Sequence, residues 1–203
     1  MRKFFQTLMG VALLSTVALA QNIPAADGVY QIRYAANLAA GDSVVNLTNA
    51  GTLNGFDPLS DICANVYVFA EDQQLIACCT CPLTPNHLKT LSVQKDLISN
   101  TLTPGVPIGV TIALVSSVPG AGACNASGVT AANLVRGMVA WGTTLHAAPG
   151  GGFYGTETEF HAAELSVTEL AKLTTYCGFI QADGSGFGIC GSCRQGAAGA
   201  AKQ

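Results

Sequence analysis

The stretch CANVYVFAEDQQLIACCTC, residues 63–81, decides the fold because two apolar runs lie on either side of a short polar segment. Both runs contain β-branched or aromatic residues, which favour extended strands. The polar segment Glu71–Asp72–Gln73 is typical of a turn. We therefore expect a β-hairpin, and its two strands contain half of the eight cysteines in the chain.

The register of this hairpin predicts where its cysteines bond. With a three-residue turn, Cys63 lies directly opposite Cys81, and with a two-residue turn it lies diagonally beside Cys79 or Cys81. In either register a disulfide from Cys63 to the cluster at residues 78–81 is geometrically feasible. Successive residues of a strand point to opposite faces, so Cys78 and Cys79 should have different partners.

Working outward from the hairpin, the sequence predicts further short strands. Period-two alternation or β-branched runs occupy residues 29–35, 43–49, 87–98, 109–117, 133–147 and 157–165. Pro, Gly and Asn clusters separate them, and no strand–helix–strand alternation is visible. This pattern predicts an all-β fold, which we expect to be a disulfide-linked antiparallel β-sandwich (Ig-like or similar). The sandwich should form one domain over residues 21–194.

One helix is predicted near the C-terminus, in LSVTELAKLTTYCGFI at residues 165–180. Ser166 followed three residues later by Glu169 forms a capping box, which predicts a helix over about 167–180. Four apolar residues then repeat at helical spacing: Leu170, Leu173, Cys177 and Ile180. Cys177 should therefore face the core and join the helix to a sheet. Residues 195–203 are of low complexity and are predicted to be a flexible tail.

The N-terminal segment has the pattern of a secretory signal peptide. Arg2 and Lys3 precede an apolar run over residues 8–19, and Ala18 and Ala20 stand before Gln21 as an A-x-A cleavage site. We expect residues 1–20 to be removed after Ala20 and the protein to be secreted, extracellular or periplasmic. No later apolar run is long enough to cross a membrane, so no membrane span is expected after cleavage.

Composition narrows the range of partners. Charged residues make up only 10% of the chain, and 12 acidic residues face 9 basic ones, two of them in the leader. Without a basic patch, nucleic acid is not an expected partner. An even number of cysteines in an exported chain predicts four disulfides. The eight residues are Cys63, Cys78, Cys79, Cys81, Cys124, Cys177, Cys190 and Cys193.

The motif CGSC within GICGSCRQG, residues 188–196, has several interpretations. It resembles the nucleophile motif of papain-like proteases, but Arg194 stands in place of their aromatic residue. No His or Asn follows it. A redox dithiol would need a helix directly after the motif, where the chain has its low-complexity tail. These tests favour two structural half-cystines over a catalytic thiol.

A zinc site is a further interpretation, because Cys79 and Cys81 could combine with Cys190 and Cys193. The two halves lie more than a hundred residues apart, and C-x-C is not the usual zinc-knuckle spacing. The disulfide interpretation is favoured again, with CGSC fastening the glycine-rich C-terminal segment to the predicted sandwich.

A second candidate metal site combines His146 with Glu159 and His161, should the strands that carry them pair. Glu157, Glu159 and His161 alternate along TETEFH and share one strand face. A solvated strand face with Phe160 turned inward explains the same pattern, and it is the favoured interpretation. We expect no cofactor.

The features together favour a secreted, non-enzymatic structural or adhesive protein that acts through protein–protein contact, with itself or with other cell-surface or extracellular proteins. Few lysines lie in the predicted strands, so their edges lack a common protection against association. Residues 21–40, which contain the predicted strand at 29–35, are a candidate segment for exchange between copies. A secreted metal- or small-ligand-binding protein is the alternative, and a thiol-based redox enzyme is the third.

Overall fold

The computed structural model describes residues 28–53, 60–120 and 123–193 as two antiparallel sheets with one C-terminal helix. The predicted signal peptide at 1–20 and the predicted tail at 195–203 lie outside the described residues. Within the part of the chain that the structure describes, no helix has the length and hydropathy needed to cross a membrane.

The strands follow the predicted segments with shifted ends. Their bounds are β1 Tyr30–Ala35, β2 Val44–Asn49, β3 Ile62–Ala70, β4 Leu75–Leu83, β5 Leu88–Ser92, β6 Val110–Ser117, β7 Met138–Ala147, β8 Phe153–Glu159 and β9 His161–Ala162. One sheet has the order β4-β3-β6-β1-β9 and the other β5-β2-β7-β8. All pairings between these strands are antiparallel.

The two sheets share one hydrophobic core. Leu47 of β2 and Met138 of β7 lie in the same buried cluster as Val66 of β3 and Leu114 of β6. A second buried cluster lies on the opposite face of the five-stranded sheet, where α1 (Val167–Asp183) packs. The five-stranded sheet is therefore buried on both faces, which explains why β3 and β4 read as nearly continuous apolar runs.

A β-bulge in the central hairpin corrects the predicted disulfide of Cys63. Beside the turn, Phe69 pairs with Leu75 as expected, but Val68 pairs with Ala77, so Ile76 is an extra residue in β4. Ile76 and Ala77 both lie in the core between the sheets. Beyond the bulge Cys79 and Cys81 point into that core, because a shift of one residue in β4 reverses their face. Cys63 alternates with the core residues Ile62 and Ala64 along β3, so it points away from the core and no longer shares a face with Cys81.

The prediction that Cys63 bonds to the cluster at residues 78–81 is therefore wrong. Cys63 lies opposite Pro82 rather than Cys81, and its disulfide partner is Cys124, 61 residues later. The adjacent pair behaves as predicted, since Cys78 bonds to Cys177 and Cys79 bonds to Cys190.

The predicted helix is confirmed, with Ser166 as its N-cap. The Ser166 hydroxyl accepts a hydrogen bond from the Glu169 backbone N–H at 3.0 Å. The buried residues are the four of the predicted stripe. The helix continues one turn beyond residue 180, to Asp183, and ends at Gly184, which has a φ of 68° that favours glycine.

Two predicted strands are shorter than expected. The segment 87–98 is a strand only to Ser92, after which Val93–Leu97 forms a π-helical turn whose N-terminus the Ser92 hydroxyl caps. The segment 133–147 becomes a strand only at Met138, because residues 131–133 form a 3-10 turn. Val93 and Leu97 are buried in the first turn, whereas Leu134 and Val135 of the second segment are partly buried against the two core clusters.

Candidate interaction edge

The four outer strands of the two sheets differ in how their free edges are protected. An unpaired edge offers a row of backbone N–H and C=O groups to any extended chain, and proteins commonly block it. The edges here belong to β4 and β9 in one sheet and to β5 and β8 in the other.

The edge of β4 is covered by other parts of the chain. The Cys78 N–H donates to the Gly188 carbonyl oxygen at 2.8 Å, and the Leu102 N–H donates to the Ile76 carbonyl oxygen at 2.9 Å. The disulfides Cys79–Cys190 and Cys81–Cys193 hold the C-terminal segment against the same strand. The prediction that CGSC fastens this segment to the sheets is therefore confirmed.

The edge of β5 carries an inward-facing lysine. Lys89 pairs with Leu47, and Leu91 pairs with Val45 on the same face. Those three neighbours are buried in the core, so the Lys89 side chain points to the interior side of the sheet. A charge in this position opposes the docking of another sheet, because that partner would bury it.

The edge of β9 is too short to receive a long partner. Its two residues, His161 and Ala162, pair with Ile32 and Gln31 of β1. The chain reaches β9 directly from β8 through Phe160, which is buried. One extended segment, residues 153–162, thus passes from one sheet to the other.

No other described segment pairs with the outer edge of β8, and the strand has no lysine. Its seven residues, FYGTETE, pair with β7 alone among the described strands, in a regular register without a bulge. The side chains of Phe153 and Tyr154 are 51% and 50% exposed. Its two acidic residues, Glu157 and Glu159, lie opposite Thr143 and Trp141, on the outer face of the sheet.

A buried arginine fixes the position of β8. Arg33 of β1 donates to the Thr158 carbonyl oxygen at 2.9 Å and to the Thr144 hydroxyl at 3.0 Å. Its guanidinium lies 6.0 Å from the centre of the Phe160 ring, within cation–π range. One side chain thereby ties both strands of the β7–β8 hairpin to the five-stranded sheet.

The environment of Arg33 is unusual for a cation. It is 8% exposed, and no carboxylate among the described residues forms an ion pair with it. Burial lowers the pKa of this guanidinium, while nearby Tyr34 and Glu157 act in the opposite direction. Arginine remains charged under these conditions, so carbonyl and hydroxyl oxygens must satisfy it.

The exposed end of the hairpin is ordered by contacts of His146. Its Nε2 atom lies 2.9 Å from the Thr156 hydroxyl, and its ring stacks on Tyr154 with 5.4 Å between ring centres. The Asn37 amide donates to the Leu145 carbonyl oxygen at 2.7 Å. These contacts hold the hairpin as a defined ribbon, with the free edge of β8 on its outer side.

The candidate metal residues do not come together. Along β7, His146 lies opposite Tyr154, whereas Glu159 lies opposite Trp141. Five residue positions of a strand separate them by about 17 Å. His161 pairs with Ile32 in the other sheet. Within the described ranges, no group of three potential metal ligands is found.

All eight cysteines are in disulfides, in four pairs. Cys190 and Cys193 bond to different residues of β4 rather than to each other. Cys78–Cys177 joins the helix to the sheet, as the apolar stripe predicted.

Sequence reasoning missed the roles of Arg33 and Lys89. Both residues sit on the inner face of a strand. A signal existed for Lys89, since it lies two residues before the buried Leu91 and must share its face. For Arg33, the sequence offers no sign of the oxygen atoms that satisfy it, because they come from β7 and β8.

The chain shows little similarity to known proteins. No family model matches the chain, and no curated protein matches it. One solved structure, described as "Crystal Structure of Thermotoga maritima 1070", is similar with a TM-score of 0.39 and 11% identity. The match covers 68% of this chain and 97% of that chain. This degree of similarity supports neither a fold nor a function.

Proposed function

We propose that this chain is a secreted, non-enzymatic structural or adhesive protein that acts through protein–protein contact at β8. We propose further that its fold is a β-sandwich, Ig-like or similar. The observation that carries the proposal is the edge of β8, a regular seven-residue strand without lysine or bulge, with which no described strand other than β7 pairs. Four disulfides suit an oxidising environment outside the cytoplasm, which agrees with the predicted leader.

Strand addition is the mode of contact that this edge supports. An extended partner chain gains main-chain hydrogen bonds along β8 without needing a particular side chain. The ordering of the hairpin by Arg33 and His146 lowers the conformational entropy that association would otherwise cost. Exposed Phe153 and Tyr154 add apolar and aromatic area at the beginning of the same strand.

A second copy of the chain is the partner that we propose. Two β8 strands placed antiparallel about a two-fold axis through Thr156 would set Glu157 opposite Gly155 and Glu159 opposite Phe153. In this register no carboxylate stands directly opposite another, and threonines meet at the centre, a favourable cross-strand pair. The edge is therefore complementary to itself in spite of the net negative charge of the chain.

The experiment compares two glutamate substitutions on different edges. Phe153→Glu places a carboxylate on β8, directly opposite Glu159 of the second copy in the proposed register, and Leu88→Glu places one on β5, where Leu88 is 62% exposed. We expect light scattering of the purified protein at increasing concentration to show association. Phe153→Glu should weaken it by about tenfold or more, which corresponds to about 1.4 kcal/mol, and Leu88→Glu should leave it unchanged.

Two results would contradict the proposal. One is a protein that stays monomeric at high concentration and takes up no partner when incubated with the surface of the producing cell. The other is an equal loss of association in both variants, since that would show a general effect of charge rather than a contact at β8. Thermal unfolding of each variant verifies that the fold is retained.

A further inference from the structure

The outer face of the four-stranded sheet carries the one tryptophan of the chain beside two carboxylates. Trp141 of β7 stands between the buried residues Ala140 and Gly142, so its side chain is on the outer face, where it is partly exposed. Glu159 is its direct neighbour on β8, and Glu157 lies one pair further along the same face. The Trp141 ring makes no aromatic or cation–π contact with another described residue. Its ring face therefore remains available for such a contact with a ligand.

This outer face is negatively charged. The outward-facing positions of the described strands β5, β2, β7 and β8 include Glu157 and Glu159 but neither lysine nor arginine. The Asn46 amide donates to Oε1 of Glu157 at 2.9 Å, and the Thr90 hydroxyl donates to Oδ1 of Asn46 at 2.8 Å. Arg33 lies on the inner side of the sheet, where oxygen atoms of β7 and β8 satisfy it. The charge of the outer face thus favours a cationic ligand.

The proposed pairing of two copies brings a second aromatic ring to this place, so the site depends on the association proposed above. The Phe160 N–H donates to the Ala140 carbonyl oxygen at 2.9 Å. The next pair, Trp141 with Glu159, is therefore non-hydrogen-bonded, and the Glu159 N–H is directed to the outer edge of β8. In the register with Thr156 at the two-fold axis, Phe153 of the second copy pairs with Glu159 and shares its face.

The spacing of the two rings suits an alkylated ammonium group. Opposite Cα atoms are about 4.5 Å apart in a non-hydrogen-bonded pair and about 5.5 Å apart in a hydrogen-bonded pair. Trp141 of one copy and Phe153 of the other are thus about 10 Å apart between Cα atoms, with Glu159 between them. A cation midway between the two residues is within about 6 Å of both rings, the range of a cation–π contact. Quaternary ammonium groups are the cations that aromatic rings recognise in this way.

We propose that the dimer formed at β8 has two binding sites for a quaternary ammonium group. Each site consists of Trp141 and Glu159 of one copy and Phe153 of the other. The two ring faces attract the cation, and the Glu159 carboxylate balances its charge. Neither copy has a complete site alone, so binding and association are coupled. The ligand should strengthen association by the same factor by which association strengthens binding of the ligand.

The test uses the fluorescence of Trp141, since the chain has no other tryptophan. Choline chloride is added to the purified, associated protein, with sodium chloride at equal ionic strength as the blank. We expect a saturable change in emission with choline. Its neutral counterpart, 3,3-dimethyl-1-butanol, has the same shape without the charge and should bind at least about tenfold more weakly. Light scattering with and without choline measures the expected strengthening of association.

Two substitutions each remove one group of the site and leave the pairing of β8 intact. Glu159→Gln removes the carboxylate, and Phe153→Leu removes the second ring while keeping an apolar side chain. Each should weaken choline binding by about threefold to tenfold. Glu71→Gln, in the turn between β3 and β4 of the other sheet, is the matched control and should leave binding unchanged. Light scattering without choline and thermal unfolding verify that the variants associate and fold.

Dilution of the unaltered protein separates this site from the association itself. Where light scattering shows monomers, choline should bind more weakly by about the same factor as in Phe153→Leu. Equal affinity in monomer and dimer would overturn the shared site and leave association at β8 intact. An equal response to 3,3-dimethyl-1-butanol, or unchanged affinity in Phe153→Leu, would also overturn the site alone. A protein that never associates would overturn both proposals.

Discussion

Arg33 and Gly142 illustrate how single residues position the candidate edge. The guanidinium of Arg33 crosses the interior between the sheets to reach oxygens of β7 and β8. It passes directly over Gly142, where an added Cβ would lie 2.8 Å from the Cδ and Nε atoms of Arg33. The absence of a side chain at residue 142 therefore makes room for the arginine that holds β8.

We predict that Gly142→Ala destabilises the protein by about 1–3 kcal/mol, the usual cost of overpacking a filled interior. Urea unfolding followed by circular dichroism measures it. Gly155→Ala on β8 is the matched control, because its added Cβ would be no closer than 3.8 Å to a neighbour. Equal effects of the two substitutions would show that Arg33 does not fill the space over β7.

Tyr30 gives a second prediction at the residue scale. Burial, and then the charge of Glu169, raise the pKa of Tyr30 from 10.0 to about 12. The folded state thus favours the neutral phenol, and this stability is complete below pH 10 and is lost as the pH rises toward about 12. Burial raises the pKa of Tyr67 in the same direction.

Urea unfolding at pH values from 9 to 11 measures this loss. Tyr30→Phe should make the decline of the free energy of unfolding above pH 10 less steep, since phenylalanine has no proton to lose. Tyr34→Phe, which changes a side chain on the same strand that is 56% exposed, is the control. An unchanged slope in Tyr30→Phe would contradict the assignment.

At the scale of elements, α1 depends on its cap and its buried stripe. The Leu173 side chain of α1 is 0% exposed, and Ser166 caps the first turn of the helix. We predict a loss of about 2–5 kcal/mol for Leu173→Ala and of about 1 kcal/mol for Ser166→Ala. Phe179→Ala, which truncates a side chain that is 67% exposed, should cost much less. Chemical unfolding ranks the three, and a different order would contradict the described packing.

The helix and the hairpin also show what the sequence can predict. The cap and the spacing of the stripe are local signals, and both were confirmed. The signals that predict the hairpin are equally local, but those that determine its register are not. Ile76 and Ala77 are both apolar, so nothing in a simple alternating pattern shows that both enter the core and turn Cys81 to the face opposite that of Cys63.

At the scale of the molecule, the order of the strands in each sheet is the property that the sequence does not predict. The sequence predicted antiparallel sheets, the final helix and eight bonded cysteines, but not which strand lies at an edge. That property depends on contacts between residues far apart, such as Arg33 with Thr158. The candidate edge at β8 was therefore beyond sequence reasoning, which had proposed β1 for exchange.

The position of β1 argues against that earlier choice. Six residues of β1 pair with β6, and β9 lies on its other side. Its removal from the sheet would expose Tyr30 and Ala35, which are 6% and 2% exposed. Association at β8 requires no such unfolding.

The disulfide pattern gives a prediction for the whole molecule. Peptide mapping without reduction should recover four linked pairs: 63–124, 78–177, 79–190 and 81–193. The first pair tests the bulge, because without the extra residue in β4 Cys63 would lie opposite Cys81 and share its face. A linkage from Cys63 to Cys79 or Cys81 would contradict the register of the central hairpin.

The central claim, that copies of the chain meet at β8, is tested most directly by amide hydrogen exchange at low and high protein concentration. Strand addition places β8 amides in new hydrogen bonds, so residues 153–159 should exchange more slowly at high concentration. Residues 88–92 of β5, an edge of the same sheet, should exchange at an unchanged rate. Exchange at 153–159 that is independent of concentration in a sample shown to associate would contradict the claim.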